Sequence, residues 1–162
     1  AVGCGCQGMV GGQMMDMRSE HAGIGNCAAN DDNGVTDILA VERIHLHKTG
    51  ALLNWCCVAG ALLACADQAA REACSRYGKA VGLLFQIADD ILDATASSAE
   101  LGKSAGKDAA QGKATYVSIL GLQRSRELAG EMHDLADEAC DLFGKQGDHL
   151  RALADYILER GR

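Results

Sequence analysis

Three carboxylates interrupt an otherwise apolar run, Phe85-Gln86-Ile87-Ala88-Asp89-Asp90-Ile91-Leu92-Asp93. On a helix, at about 100° per residue, Asp89 and Asp93 point within about 40° of each other, one turn apart. Like charges that close repel, and apolar neighbours raise the cost of ionising them. A bound cation offsets both penalties. A donor set made only of carboxylate oxygens suits a hard ion, Mg²⁺ before Zn²⁺. Mg²⁺ keeps several waters and shares its shell with substrate phosphates, so the pattern points to a phosphate-bearing ligand. The flanking Phe85, Ile87, Ile91 and Leu92 leave little room for a broad solvated face.

The other metal-binding residue types form no comparable pattern. Eight cysteines occur, but Cys4/Cys6 and Cys56/Cys57 are not metal-hook spacings and no CxxC is present. They read as small buried packing residues in a reducing compartment, the cytoplasm. His45 and His47 are two apart, about 200° round a helix, so they cannot share a metal and read as polar-face residues or local hydrogen-bonders. Met9, Met14, Met15 and Met17 read as core filler.

These residues need elements to carry them, and the composition points to helices. Proline is absent, aromatics are scarce, and no segment alternates with period two over a useful length. The fold class is all-α. The 162 residues fit one domain, 1–162, with a respectable core. A net charge of −7 argues against nucleic acid. The longest apolar run, Ala51 to Ala66, contains Asn54 and is shorter than the roughly 18 residues of a membrane span. No signal peptide is visible, and the chain starts at Ala1 without an initiator Met.

Along the chain, a Gly- and Met-dense helix is expected from Val2 to about Arg18, then a polar loop from Ser19 to Thr36. Thr36 or Asp37 would cap a helix over Asp37–His47. Lys48-Thr49-Gly50 interrupts, and an apolar helix continues to about Ala66. A long helix from Asp67 to about Ala94 carries the carboxylates. A loop from Ala96 to Lys113 carries Lys103, Lys107 and Lys113. A short helix over Thr115–Gly121 and amphipathic helices over about Gln123–Phe143 and Asp148–Arg160 close the chain.

Five strings together resemble one family: Gly11-Gly12-Gln13-Met14-Met15-Asp16; Glu42-Arg43-Ile44-His45-Leu46-His47-Lys48-Thr49-Gly50-Ala51-Leu52; Gly82 through Asp93; Leu101-Gly102-Lys103; and Gly112-Lys113-Ala114-Thr115-Tyr116. Leu153-Ala154-Asp155-Tyr156-Ile157 is similar too. The chain resembles the C-terminal half of trans-isoprenyl diphosphate synthases of the bacterial farnesyl and geranylgeranyl type. The resemblance implies a helical bundle of the isoprenoid synthase type around a deep cavity, its N-terminal half missing. It implies a reaction that joins an allylic diphosphate to isopentenyl diphosphate and releases pyrophosphate. The allylic C–O bond ionises, the alkene attacks the allyl cation, and a proton is lost to pyrophosphate. Metal clamps and cationic side chains are the devices suited to such a leaving group.

By resemblance, Asp89 and Asp93 take the Mg²⁺, with Asp90 acting directly or through a water. Lys48 and Lys103 contact the allylic diphosphate, and Lys113 lies near the same loop. The Thr49 hydroxyl, the Gln86 side-chain oxygen and the Lys48 carbonyl face the carbocation. A bend at Thr49-Gly50 would free that carbonyl. Gln13 and Asp16 line a neighbouring wall, with Asp16 supporting the lysines.

The departures from the family pattern are an absent first aspartate-rich motif and Val117 in place of a proline. Asp31-Asp32 has no third carboxylate at a matching distance. Three readings stay open: a fragment of a complete enzyme, one piece of a split enzyme, or a non-catalytic small or regulatory subunit of a complete synthase. The intact motifs favour the first. A terpene cyclase or squalene-type synthase fits the Lys48-Thr49 and Phe85-Gln86 context less well. A half-bundle should leave faces such as Leu83/Leu84/Ile87 uncovered, so a homo-oligomer or association with the missing half is expected.

Overall fold

The structure of the protein, a computed structural model, describes residues 3–22, 35–100 and 114–160. These form helices α1 (Met9–Ala22), α2 (Val35–His45), a π-helical turn (Leu46–Gly50), α3 (Ala51–Leu63), α4 (Gln68–Glu100), α5 (Tyr116–Leu120), α6 (Leu122–Cys140), a 3₁₀ segment (Asp141–Gly147) and α7 (Asp148–Arg160). Among the described residues there is no strand, and no helix is long and apolar enough to cross a membrane. The fold is all-α, as its composition requires.

The central element is α4. Its start is set by Asp67, whose Oδ1 accepts the Ala70 N–H at 2.9 Å in N-cap fashion. Ala73, Tyr77, Ala80, Leu84, Ile87 and Ile91 are buried at three- and four-residue spacing, one stripe down the helix. Small residues on α6 (Ser125, Ala129, Ala136, Ala139, Cys140) let that helix approach closely, and Ala154 and Ile157 bring α7 into the same core. The Tyr77 hydroxyl donates to the Leu150 carbonyl at 2.8 Å, which ties α7 to the middle of α4. The opposite side of α4 carries Gly78 and Gly82, about 140° and 180° round from Ala73, and packs on α3 and the π turn. A helix covered on two opposite sides has few positions left for polar residues.

Charged groups fasten the C-terminal hairpin. The Arg151 guanidinium donates to Asp137 (2.7 Å), Asp141 (2.9 Å) and the Gly144 carbonyl (3.0 Å), bridging α6, the 3₁₀ segment and α7. Gly144 reverses the chain there with φ 52°.

Several expectations need correction. The first helix begins at Met9; residues 3–8 form turns and bends, as a short stretch with glycine at three of its six positions does not hold a helix. Helix α2 begins at Val35, placing Thr36 and Asp37 inside its first turn instead of at its cap. Helix α4 runs on to Glu100, into the expected loop. Leu83, Leu84 and Ile87 are buried, because α4 finds its own cover within this chain. The exposed apolar groups lie elsewhere: Val10, Met14 and Met17 form one stripe on α1, and Trp55, Leu62 and Leu63 stand on α3. Met14 and Met17 are thus not core filler. Nor are most described cysteines packing residues: Cys4, Cys6, Cys56 and Cys65 are exposed, and Cys140 is buried. His45 is buried and so does not sit on a polar face, whereas the His47 Nδ1–H donates to the Gln7 carbonyl at 3.1 Å, a partner 40 residues away and not a local one.

The α6–α7 contact is pH-dependent. His133 Nε2 lies 2.7 Å from Asp155. Burial works against its charged form, but the Asp155 and Asp134 carboxylates outweigh it and hold the pKa above the ordinary 6.5. The pair therefore stabilises the fold fully below about pH 6.5, and that contribution is lost as pH rises through the raised value. Thermal melts from about pH 5.5 to 8.5 should show this decline, and His133→Gln should flatten it.

Candidate active site

The π turn is where the predicted residues begin to meet. A continuous α-helix could run from Val35 to Leu63; instead the segment Leu46–Gly50, which contains Lys48 and Thr49, widens to π-helical geometry. The expected interruption at Lys48-Thr49-Gly50 is therefore real, but it is a wider turn within the helix and not a break. Such turns are uncommon and concentrate at functional sites. Two neighbouring backbones press on it. A Cβ at Gly12 of α1 would lie 2.1 Å from the Lys48 nitrogen, and a Cβ at Gly82 of α4 would lie 2.7 Å from the Gly50 Cα. Only glycine permits either approach.

From these two contacts the rest follows by helical geometry. On α1, Asp16 is one turn beyond Gly12 and on nearly the same face. There the Asp16 carboxylate accepts from Lys48 Nζ at 2.5 Å; its side chain is only 6% exposed, that of Lys48 29%. A buried carboxylate requires such a partner. The lysine keeps two further N–H donors for an anion. Gln13, which the sequence groups with Asp16, is exposed.

On α4, Gln86, Asp89 and Asp93 lie within about 40° of Gly82 and extend roughly 16 Å beyond it. Gln86 is nearly buried, Asp89 is half exposed and Asp93 is exposed. The Arg160 guanidinium of α7 sits 5.5 Å over the Phe85 ring and 3.9 Å from Asp89. An exposed pair at that separation contributes little and leaves Asp89 accessible. Asp90 points differently: its Oδ2 accepts the Tyr116 N–H at the start of α5, at 2.9 Å. The Tyr116 ring, itself buried, lies 5.4 Å from the His45 ring at the end of α2. Lys103 and Lys113 lie outside the described residues.

Asp89 and Asp93 suit Mg²⁺. Their donors are all oxygen, they share one face, and both reach solvent. Among the described residues no three His, Cys, Asp or Glu side chains converge on one metal position. Mg²⁺ does not need them to, since it is commonly held by one or two carboxylates with water and phosphate completing the shell. In the core, burial, with Cys74, Cys56 and Cys140 nearby, pushes the Cys57 thiol up to about 11.

Sequence reasoning missed Gly82 as a contact residue, Tyr116, His45 and Arg160. Gly12 and Gly82 stand in the quoted motifs, so a signal existed. Nothing in a single sequence pairs Tyr116 with Asp90.

Residues 4–149 match the polyprenyl synthetase family model. The chain belongs to that family. It is 43% identical over 159 residues to the chloroplastic geranylfarnesyl diphosphate synthase of Leucosceptrum canum, covering 98% of this chain and 41% of the relative. It is 42% identical over 159 residues to the large subunit 1 of a heterodimeric chloroplastic geranylgeranyl pyrophosphate synthase of Arabidopsis thaliana, covering 96% of this chain and 40% of that one. Among solved structures, an FPP/GFPP synthase from Zymomonas mobilis in its apo form superposes with a TM-score of 0.75 at 33% identity, covering 97% of this chain and 47% of that one. The chain thus spans about two fifths of the length of these curated relatives.

The glycine contacts are open to test. Gly12→Ala and Gly82→Ala should each destabilise by about 1–3 kcal/mol in urea unfolding, since backbone must shift to admit the methyl. Gly60→Ala, with open space around its Cβ, should instead stabilise by up to about 1 kcal/mol.

Proposed function

We propose that this chain carries the C-terminal part of a Mg²⁺-dependent prenyltransferase that condenses an allylic diphosphate with isopentenyl diphosphate. The observation that carries this is the seating of the Lys48 turn against the helix of Gln86, Asp89 and Asp93. Gly50, two residues after Lys48, touches Gly82, and Asp89 and Asp93 continue the face of Gly82, so a cation and two accessible carboxylates are placed along one side of the helix, as recognition of a metal-bound diphosphate requires. Family membership supports the reading, and the relatives named above are prenyl diphosphate synthases.

In this reading Lys48, oriented by Asp16, holds the allylic diphosphate and stabilises negative charge as the C–O bond breaks. Lys103 and Lys113 add cationic contacts to the same anion. Asp89 and Asp93 hold Mg²⁺, which when bound neutralises charge on the departing diphosphate. The sequence groups Asp90 with them. Gln86 and Thr49 present oxygen dipoles to the allyl cation, and Gln13 borders the diphosphate wall. Positive charge is stabilised by oxygens that are poor nucleophiles, so the cation survives until the alkene attacks.

A second reading, a partner subunit or split half, is favoured by one relative's being the large subunit of a heterodimer and by the Val10/Met14/Met17 stripe. An exposed apolar stripe of that kind suits a covering helix, from a second copy or from the remaining part of a synthase bundle.

Two measurements decide between them. With Mg²⁺, labelled isopentenyl diphosphate and an allylic diphosphate, longer prenyl products should form when the N-terminal part of a related synthase is supplied. No product under any complementation, together with a stable complex with a complete synthase, would favour the subunit reading. In calorimetry with inorganic pyrophosphate, the double variant Asp89→Asn/Asp93→Asn should lose the Mg²⁺-dependent part of binding, about tenfold or more, with little change in melting temperature.

A further inference from the structure

Building on the diphosphate-site reading above, we propose that Asp90 is a positioning residue and not a metal ligand: it anchors α5 through Tyr116, and Tyr116 braces the turn that carries Lys48. The hydrogen-bond accounting at α5 is the first support. Thr115 Oγ1 accepts the Ser118 N–H at 3.1 Å, and Ser118 Oγ accepts the Thr115 N–H at 2.8 Å, a reciprocal capping box. That box leaves the Tyr116 N–H unserved, and the Asp90 carboxylate takes it at 2.9 Å. The bond runs between residues 26 apart in sequence, from the carboxylate helix to the start of α5.

The second support is the Tyr116 ring. It is 1% exposed and lies 5.4 Å from His45, tilted by 43°. His45 is the last residue before the π turn of Lys48 and Thr49. The Tyr116 hydroxyl is buried with no hydrogen-bond partner among the described residues. In this proposal Tyr116 acts through its amide and its ring face. Asp90–Tyr116–His45 is a second connection between α4 and the Lys48 turn, independent of the Gly82–Gly50 contact. Two connections fix a relative orientation where one would leave a pivot.

On helical geometry, Asp90 lies about 100° from Asp89 and about 60° from Asp93, off the face those two share. One motif then divides its labour: Asp89 and Asp93 face the ligand, and Asp90 holds the wall behind.

The test compares variants by calorimetry with inorganic pyrophosphate and Mg²⁺, and by amide hydrogen exchange over 116–119. Asp90→Asn retains an acceptor oxygen and should keep pyrophosphate affinity within about threefold, while Asp90→Ala should lose about tenfold and speed Tyr116 exchange by a similar factor. Tyr116→Phe should change neither readout, and Tyr116→Leu should follow Asp90→Ala in affinity. The proposal is overturned if Asp90→Asn loses as much affinity as Asp89→Asn, if Asp90→Ala leaves Tyr116 exchange unchanged, or if Tyr116→Phe weakens binding. Binding indifferent to both Asp89→Asn and Asp93→Asn overturns the metal-site reading alone; the exchange arm then still decides whether Asp90 anchors α5.

Discussion

Gly12 and Gly82 grip the π turn from two sides, each offering hydrogen where any other residue would place a methyl group. A Cβ at either position would sit within 2.7 Å of turn backbone, well inside van der Waals contact. Helices normally keep their axes 8–10 Å apart because side chains intervene. Here the side chains are removed locally, and the turn of Lys48 and Thr49 comes into direct contact with the backbones of α1 and α4. Everything chemical in the molecule is referenced to that contact: Asp16 sits one turn past Gly12, and Gln86, Asp89 and Asp93 continue the face of Gly82.

Charge is distributed in keeping with burial. Asp16 is almost fully buried and is paired with Lys48, because an isolated buried carboxylate would not stay ionised. Asp89 and Asp93 reach water and need no such partner, so they remain available to a cation. Asp90 has a backbone N–H in front of it. Four acidic side chains thus occupy three electrostatic situations within a short distance of one another along the fold. A uniform reading of the aspartates as one ligand set overlooks that difference.

The apolar surface is partitioned in the same way. The chain buries a contiguous core of its own, with α4 covered by α6 and α7 on one side and by α3 and the π turn on the other. Among the apolar groups that stay exposed are the outer stripe of α1 and the outer face of α3. On α1 the exposed stripe lies opposite Gly12 and Asp16, so a helix covering it would press α1 onto the Lys48 turn without touching the site.

Much of this was legible in the sequence. The all-α class, the order of the helices, the interruption at Lys48-Thr49-Gly50 and the short helix beginning at Thr115-Tyr116 follow from composition, periodicity and local signals, and the support of Lys48 by Asp16 is what the family resemblance implies. Such features are local, or repeat in family order, and a single sequence displays them. Helix ends were less legible: Asp37 looked like a cap and is an internal residue, since propensity near a terminus is weak against packing. Burial was the least legible. Met14 and Leu84 have similar hydropathy, yet one faces solvent and the other has no exposed surface. Which apolar residue meets a neighbour depends on which helix arrives beside it, and so does the partnership of Asp90 with an amide 26 residues away. Sequence determined which residues could do chemistry and which segments would be helical; tertiary structure alone decided which aspartates stay open to solvent and which accepts a distant amide, because long-range hydrogen bonds and close glycine contacts form only once the backbones have been brought together.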